Sequence, residues 1–201
     1  MKKLFGIALF LVLMQTAYAQ RAGGLRFQMD LGTAIPKNGG IGGLFNLEPQ
    51  ILVSDNLAVG LRFGFAGLAK NVTYYNLSND YDGEISANAS VAGTVNYYLN
   101  NGNSRVAPYI GAGFGYYALS NLDIASTSID PGDVGNLEAD FAWAPMIRAG
   151  FELGKFRLGA EYNFIPNSNL QNLNGAVIGE AINEYFGFTL GFFVGGGKWG
   201  K

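Results

Sequence analysis

The chain has 201 residues, 49% hydrophobic and only 14% charged, against roughly 25% charged in an average soluble domain. Its 30 glycines show no three-residue period and its prolines number 6, which excludes collagen and proline-rich disorder. With no cysteine and no histidine, disulfides, thiolate chemistry, zinc fingers, His-ligated metals and Ser-His-Asp triads are excluded, and a formal net charge of −2 gives no basis for nucleic-acid binding.

Residues 1–19 read as a cleaved signal peptide. Lys2 and Lys3 form a basic start, and Leu4 to Met14 is an apolar run. Gln15 and Thr16 break it, and Ala17-Tyr18-Ala19 has the small-x-small form of a cleavage site. The cut is placed between Ala19 and Gln20, leaving one domain, residues 20–201. An uncleaved anchor is the alternative, but the run is far shorter than the roughly 20 apolar residues that cross a bilayer.

From Leu25 onward the sequence alternates with period two. Leu25 to Thr33 sets Leu25, Phe27, Met29 and Leu31 against Arg26, Gln28 and Asp30. Gly43 to Val53 sets Phe45, Leu47, Ile51 and Val53 against Asn46, Glu48 and Gln50. Leu57 to Phe65 sets Leu57, Val59, Leu61, Phe63 and Phe65 against Gly60, Arg62 and Gly64. Ile85 to Leu99 sets Val91, Val95 and Tyr97 against Asn88, Ser90, Thr94 and Asn96. Val106 to Ala118 sets Ile110, Ala112, Phe114 and Tyr116 against Tyr109, Gly111, Gly113, Gly115 and Tyr117. Phe141 to Leu153 sets Trp143, Ile147, Phe151 and Leu153 against Arg148, Gly150 and Glu152. Phe156 to Phe164 sets Leu158, Ala160 and Tyr162 against Arg157, Gly159, Glu161 and Asn163, and Phe186 to Val194 sets Phe188, Leu190 and Phe192 against Gly187, Thr189 and Gly191.

These eight segments run to about nine to fifteen residues, whereas soluble strands average about five or six and a tilted transmembrane strand needs about nine to eleven. Ser54-Asp55-Asn56, Asn100 to Ser104 and Gly154-Lys155 are short connections; Ala34 to Gly42, Gly67 to Glu84, Leu119 to Asp140 and Ile165 to Glu184 are longer. Short turns at one end and long loops at the other predict an all-β, eight-stranded, antiparallel up-and-down transmembrane β-barrel with both termini at the periplasmic end. Pro49 and Pro145 fall inside the second and sixth segments, where a closed barrel has no free edge for them; bulges or shifted strand boundaries are expected there.

The polar faces carry Arg26, Asp30, Glu48, Arg62, Arg148, Glu152, Arg157 and Glu161, four charges of each sign. An Arg at the midplane of a barrel's lipid face costs about 2–4 kcal/mol, so this face is expected inside, as a lumen charge network. Asn46, Gln50, Asn88, Asn96 and Asn163 can take up its remaining donors and acceptors. Such an interior could be a structural plug, a narrow gated or water-filled conduit, or a set of paired carboxylates for acid–base work; the plug needs the fewest assumptions. Leu44, Leu52, Ala142, Ala144 and Met146 share the inward face and could form an apolar constriction in the upper lumen. Tyr97, Tyr98, Tyr109, Tyr116, Tyr117, Trp143, Tyr162 and Tyr185 lie near strand ends and are expected to form interface girdles.

Pro108-Tyr109-Ile110-Gly111-Ala112-Gly113-Phe114-Gly115-Tyr116 resembles the glycine–aromatic strand of the outer-membrane β-barrel-domain or porin-family proteins, many from Bacteroidetes-like bacteria, and the last segment is similar to the closing strand that the barrel assembly machinery reads. Many such barrels end on an aromatic residue; here Gly195-Gly196-Gly197-Lys198-Trp199-Gly200-Lys201 follows. The resemblance implies a bacterial outer-membrane protein in contact with lipid and lipopolysaccharide, with an unidentified extracellular ligand and a structural or adhesive role. A narrow channel, or a transporter of small or apolar solutes like the outer-membrane protein W barrels, is the alternative; a soluble periplasmic sandwich is a third. Barrel enzymes of similar size use an active-site histidine, which this chain lacks, so no catalytic residue, metal or cofactor is expected. Among loop motifs, Asp80-Tyr81-Asp82-Gly83-Glu84 starts like a calcium loop without EF-hand spacing, and Asp123, Asp130, Asp133, Glu138 and Asp140 form an acidic stretch that reads as solvated surface or a divalent bridge to lipopolysaccharide phosphates.

Overall fold

A chain with this alternation can bury one strand face and leave the other apolar only by closing a sheet on itself. The computed structural model describes residues 22–71, 73–74, 83–100, 104–123, 139–171, 177–196 and 199. Its strands are β1 (Leu25–Pro36), β2 (Gly42–Ser54), β3 (Leu57–Asn71), β4 (Thr73–Tyr74), β5 (Gly83–Tyr98), β6 (Val106–Asp123), β7 (Asp140–Leu153), β8 (Phe156–Asn163), β9 (Ser168–Gln171), β10 (Val177–Ala181) and β11 (Tyr185–Gly195). Eight of them close into a barrel in the order β1-β11-β8-β7-β6-β5-β3-β2. Every neighbouring pair is antiparallel, and the seam between first and last strands runs unbroken from Arg26 opposite Gly195 to Pro36 opposite Tyr185. Closure pairs the backbone internally, as a sheet in hydrocarbon requires.

The outward faces of the barrel strands carry no Asp, Glu, Lys or Arg among residues whose side chains are described. Leu31 and Trp143 are 61% and 62% exposed there. Phe114 stacks on Trp143 at 5.6 Å between ring centroids and Tyr116 on Phe141 at 5.4 Å, forming an apolar ledge on β6 and β7. Tyr97, Tyr116 and Trp143 are exposed outward and Tyr162 partly so. Tyr98, Tyr109, Tyr117 and Tyr185 instead point inward and are buried, so the expected girdle loses four members. Position near a strand end suggested the girdle, but strand parity sets direction: Tyr98 shares the face of Asn96, Tyr109 and Tyr117 that of Gly113, and Tyr185 that of Gly187.

Neither proline makes a bulge. Leu52 donates its N–H to Gly24 O at 2.9 Å on the β1 side, so Pro49, three residues back, turns its missing donor toward β3. The β2–β3 ladder skips Glu48 and Pro49 and resumes at Gln50 opposite Gly60 in the same register. The register shift in that ladder lies instead between Leu52 and Ser54, beside the turn. Pro145 accepts from Phe164 N at 3.1 Å just beyond the end of β8, so its nitrogen meets the place where its neighbour's strand stops.

At the short-turn end Gly154 takes a φ of 63° in the two-residue Gly154-Lys155 turn between β7 and β8. At the other end the strands outrun the alternation. β3 continues to Asn71, β6 to Asp123, and β5–β6 pairing reaches Glu84 opposite Asp123. The first long connection contracts to residues 37–41, with Gly39 and Gly40 at φ of 93° and 95°. The expected loops Gly67 to Glu84 and Ile165 to Glu184 contain β4, β9 and β10, which form a separate small sheet in the order β4-β10-β9. Pieces this short carry too few residues for a period to show. Residues 1–19 with the cleavage pair Ala19 and Gln20, and loop residues Asp80 to Asp82, Asp130, Asp133 and Glu138, lie outside the described residues.

Candidate functional site: the barrel interior

Even-numbered residues of β1, β2, β3 and β7 point inward, and with them Arg26, Asp30, Glu48, Arg62, Arg148 and Glu152; Arg157 and Glu161 project inward from β8. All eight are buried. They sort into three tiers along the barrel axis.

The lowest tier, toward the short turns, centres on Glu152 of β7. Its Oε1 accepts from Arg26 Nη2 at 2.5 Å, Arg157 Nη1 at 3.2 Å and Tyr98 Oη at 3.0 Å. Tyr98 Oη in turn accepts from Arg26 Nη1 at 3.0 Å. Both guanidiniums lie over aromatic rings, Arg26 over Phe193 and Arg157 over Tyr109, each 3.7 Å from the ring centroid. Trp199, beyond the last strand, is 4% exposed in this tier. Its indole Nε1 donates to Glu152 Oε2 at 2.7 Å and its ring sits 5.0 Å from that of Tyr98. Leu52, Ala58, Tyr98, Ala107, Tyr109 and Trp199 form one apolar cluster.

The middle tier centres on Glu48 of β2. Arg148 of β7 grips it with two parallel bonds, Nη1 to Oε2 and Nη2 to Oε1, each 2.6 Å. Thr94 Oγ1 at 2.5 Å and Gln50 Nε2 at 2.7 Å also donate to Oε1, and Arg148 Nε donates to Asn96 Oδ1 at 2.8 Å. Asp30 accepts from Gln28 Nε2 at 2.5 Å and makes no ion pair within 4 Å among the described residues.

In the upper tier Arg62 of β3 reaches Glu161 of β8 at 2.6 Å and Asn46 at 2.9 Å. Asn163 Nδ2 donates to Glu161 Oε1 at 3.0 Å, and Asn163 Oδ1 accepts from Tyr117 Oη at 2.9 Å. Above it Ala34, Leu44, Ala66, Leu68, Tyr117, Leu119, Ala144, Ile165 and Tyr185 close into an apolar cluster. Of the five residues expected there, Leu44 and Ala144 belong to it. Leu52 sits at the opposite end in the Trp199 tier, Met146 lies beside Arg62 with its Sδ 2.8 Å from Nη1, and Ala142 is only partly buried.

The partners cross the ring. β2 and β7 are four places apart in the closed order, as are β3 and β8, so Glu48–Arg148 and Arg62–Glu161 join opposite walls. Arg148 sits opposite Glu161 in the strand register yet bonds Glu48 instead. Glycine makes room: a Cβ on Gly111 would stand 3.2 Å from Arg148 Cγ, and one on Gly60 2.8 Å from Glu48 Oε1. At the long-loop rim Lys37 Nζ lies 2.8 Å from Glu184 Oε2. The Lys37 bond holds the Glu184 carboxyl below the usual carboxylate range, and the same bond raises the Lys37 ammonium.

Sequence parity could have placed the inward tyrosines. Nothing periodic marks Trp199, because the segment after β11 has no alternation to read.

A closed eight-stranded antiparallel barrel with an uncharged outer face and a polar interior is the architecture of the small bacterial outer-membrane β-barrels. Among solved structures it is similar to the outer membrane protein OprG from Pseudomonas aeruginosa, with a TM-score of 0.62 and 14% identity over 88% of this chain and 97% of that one. It is also similar to Neisserial surface protein A, NspA, with a TM-score of 0.50 and 13% identity over 85% and 95% of the two chains. At these identities the likeness is one of fold. No family model matches the sequence, and a search of curated proteins gives no significant match.

Proposed function

We propose that this protein is a non-enzymatic outer-membrane barrel whose interior is closed by its own ion pairs, and whose role is structural or adhesive and carried by the long-loop end. The observation that carries this reading is the pair of ion bridges between opposite walls, Arg148–Glu48 and Arg62–Glu161, stacked above the Glu152 cluster. Side chains that meet across the ring at hydrogen-bond distance occupy the path a solute would take, and an eight-stranded barrel is narrow enough for side chains to fill. On this reading the eight charges are a plug, and the partners are outer-leaflet lipid, lipopolysaccharide and an extracellular ligand. The barrel assembly machinery would insert the chain by its closing strand β11. Residues 1–19 would direct export and be cleaved between Ala19 and Gln20, and the N-terminal residue of the membrane-bound protein tests that.

The decisive measurement is planar-bilayer conductance of the refolded protein beside Arg148→Met, with insertion verified by a heat-dependent gel shift. The wild-type protein is expected to be silent. Discrete openings that change in the Arg148 variant would overturn the plug and make the charge network the lining of a conduit. A second reading, a transporter of small apolar solutes, draws on the apolar cluster above Arg62. It predicts uptake of an apolar dye into proteoliposomes that are silent to ions, reduced by Leu44→Gln.

A further inference from the structure

Beyond β11 the described residues are Gly196 and Trp199. Gly195, the last residue of β11, and Gly196 take φ of 77° and 60°, conformations that favour glycine and turn the chain out of the strand. Lys155 Nζ fixes the base of this turn by donating to Gly195 O at 2.8 Å. Trp199 then enters a recess whose walls belong to the strands: Leu52, Ala58, Tyr98, Ala107 and Tyr109, from β2, β3, β5 and β6.

The recess has a polar end as well as apolar walls. The carboxylate of Glu152 is held from one side by three donors of the barrel, Arg26, Arg157 and Tyr98, all on Oε1. Among the described residues Oε2 receives one donor, the indole N–H of Trp199. A buried carboxylate oxygen is therefore aimed at the mouth, and the three donors that hold the other oxygen belong to the barrel and not to the tail. An acceptor at the end of an apolar slot, with a tyrosine ring along one wall, selects a flat aromatic ring bearing one N–H.

We propose that the short-turn mouth of the barrel is a binding pocket for a planar aromatic N–H donor of the indole class, filled in the resting protein by the chain's own Trp199. The tail acts as a built-in ligand, and the same recess accepts a free indole or a tryptophan from another chain when Trp199 is absent. This is independent of the role of the long loops: the pocket lies at the other end of the molecule.

The test uses full-length Trp199→Ala in detergent and 5-fluoroindole, followed by fluorine NMR. The variant is expected to bind the probe saturably at one site, while the wild-type protein at the same concentrations does not. Indene, which has the same ring shape without the N–H, is expected to bind at least about tenfold more weakly, as loss of a hydrogen bond to a charged acceptor implies. A peptide with the sequence of residues 196–201 competing more strongly than indole would identify a protein tryptophan as the preferred occupant; indole competing equally would identify the ring alone. Absence of saturable binding to a folded variant, equal binding to both proteins, or equal binding of indene would overturn the proposal. Should Trp199→Ala fail to fold, Trp143→Phe leaves Trp199 as the sole tryptophan. Blue-shifted emission shielded from acrylamide is then expected, and water-like, freely quenched emission would overturn the assignment.

Discussion

At Glu48 a single carboxylate receives two donors from Arg148 and one each from Thr94 and Gln50. Taking either ion of such a pair out of water is costly, and the bonds offset that cost only while both partners are present. Arg148→Met is therefore expected to lower stability by about 3–5 kcal/mol, measured by urea unfolding in detergent. Adding Glu48→Gln should cost less than the two single changes summed, because the second change removes the charge that the first left stranded. Unchanged unfolding of Arg148→Met would remove the ion pair from any account of stability. The direction of these charges was legible in the sequence, since they share parity with the polar residues of each segment. Their pairing was not. Register places Arg148 beside Glu161, whose carboxylate is taken by Arg62 and Asn163, and ring closure brings Glu48 to Arg148 from the opposite wall.

At the scale of the strand, the two faces have opposite tolerances. Leu61 and Phe188 point outward, 45% and 51% exposed, while Arg62 beside Leu61 is buried. Leu61→Lys or Phe188→Lys is expected to cost up to about 2–4 kcal/mol where the position reaches the bilayer midplane, whereas Arg62→Lys keeps its charge inside. The comparison is read from folding yield in lipid vesicles and denaturant midpoints; equal tolerance at all three positions would reverse the faces. The eight barrel strands were legible because each is long enough for period two to repeat several times. β4, β9 and β10 were not, since two to five residues cannot establish a period. The prolines were visible but their accommodation was not. It depends on which neighbour each nitrogen faces, and that follows from pairing parity, not from composition.

At the scale of the molecule, closure was readable from strand number and from the alternation of short and long connections, because a sheet in hydrocarbon cannot keep an edge. What lies inside the closed ring was only partly readable. The inward tyrosines obey the same parity as the charges, but Trp199 arrives from a segment with no pattern at all. The ion bridges across the ring have a consequence in time as well as in energy. Arg148 and Glu48 are 100 positions apart in the chain, Arg62 and Glu161 99, and each pair joins opposite walls, so it can meet only once the sheet has curled. Interactions absent from the rate-limiting barrier act on escape, not on arrival. Cutting one bridge is expected to leave the folding rate nearly unchanged and to hasten unfolding, so that the bridges act on how long the closed barrel lasts; slowed folding of Arg148→Met in a denaturant jump would place them early instead.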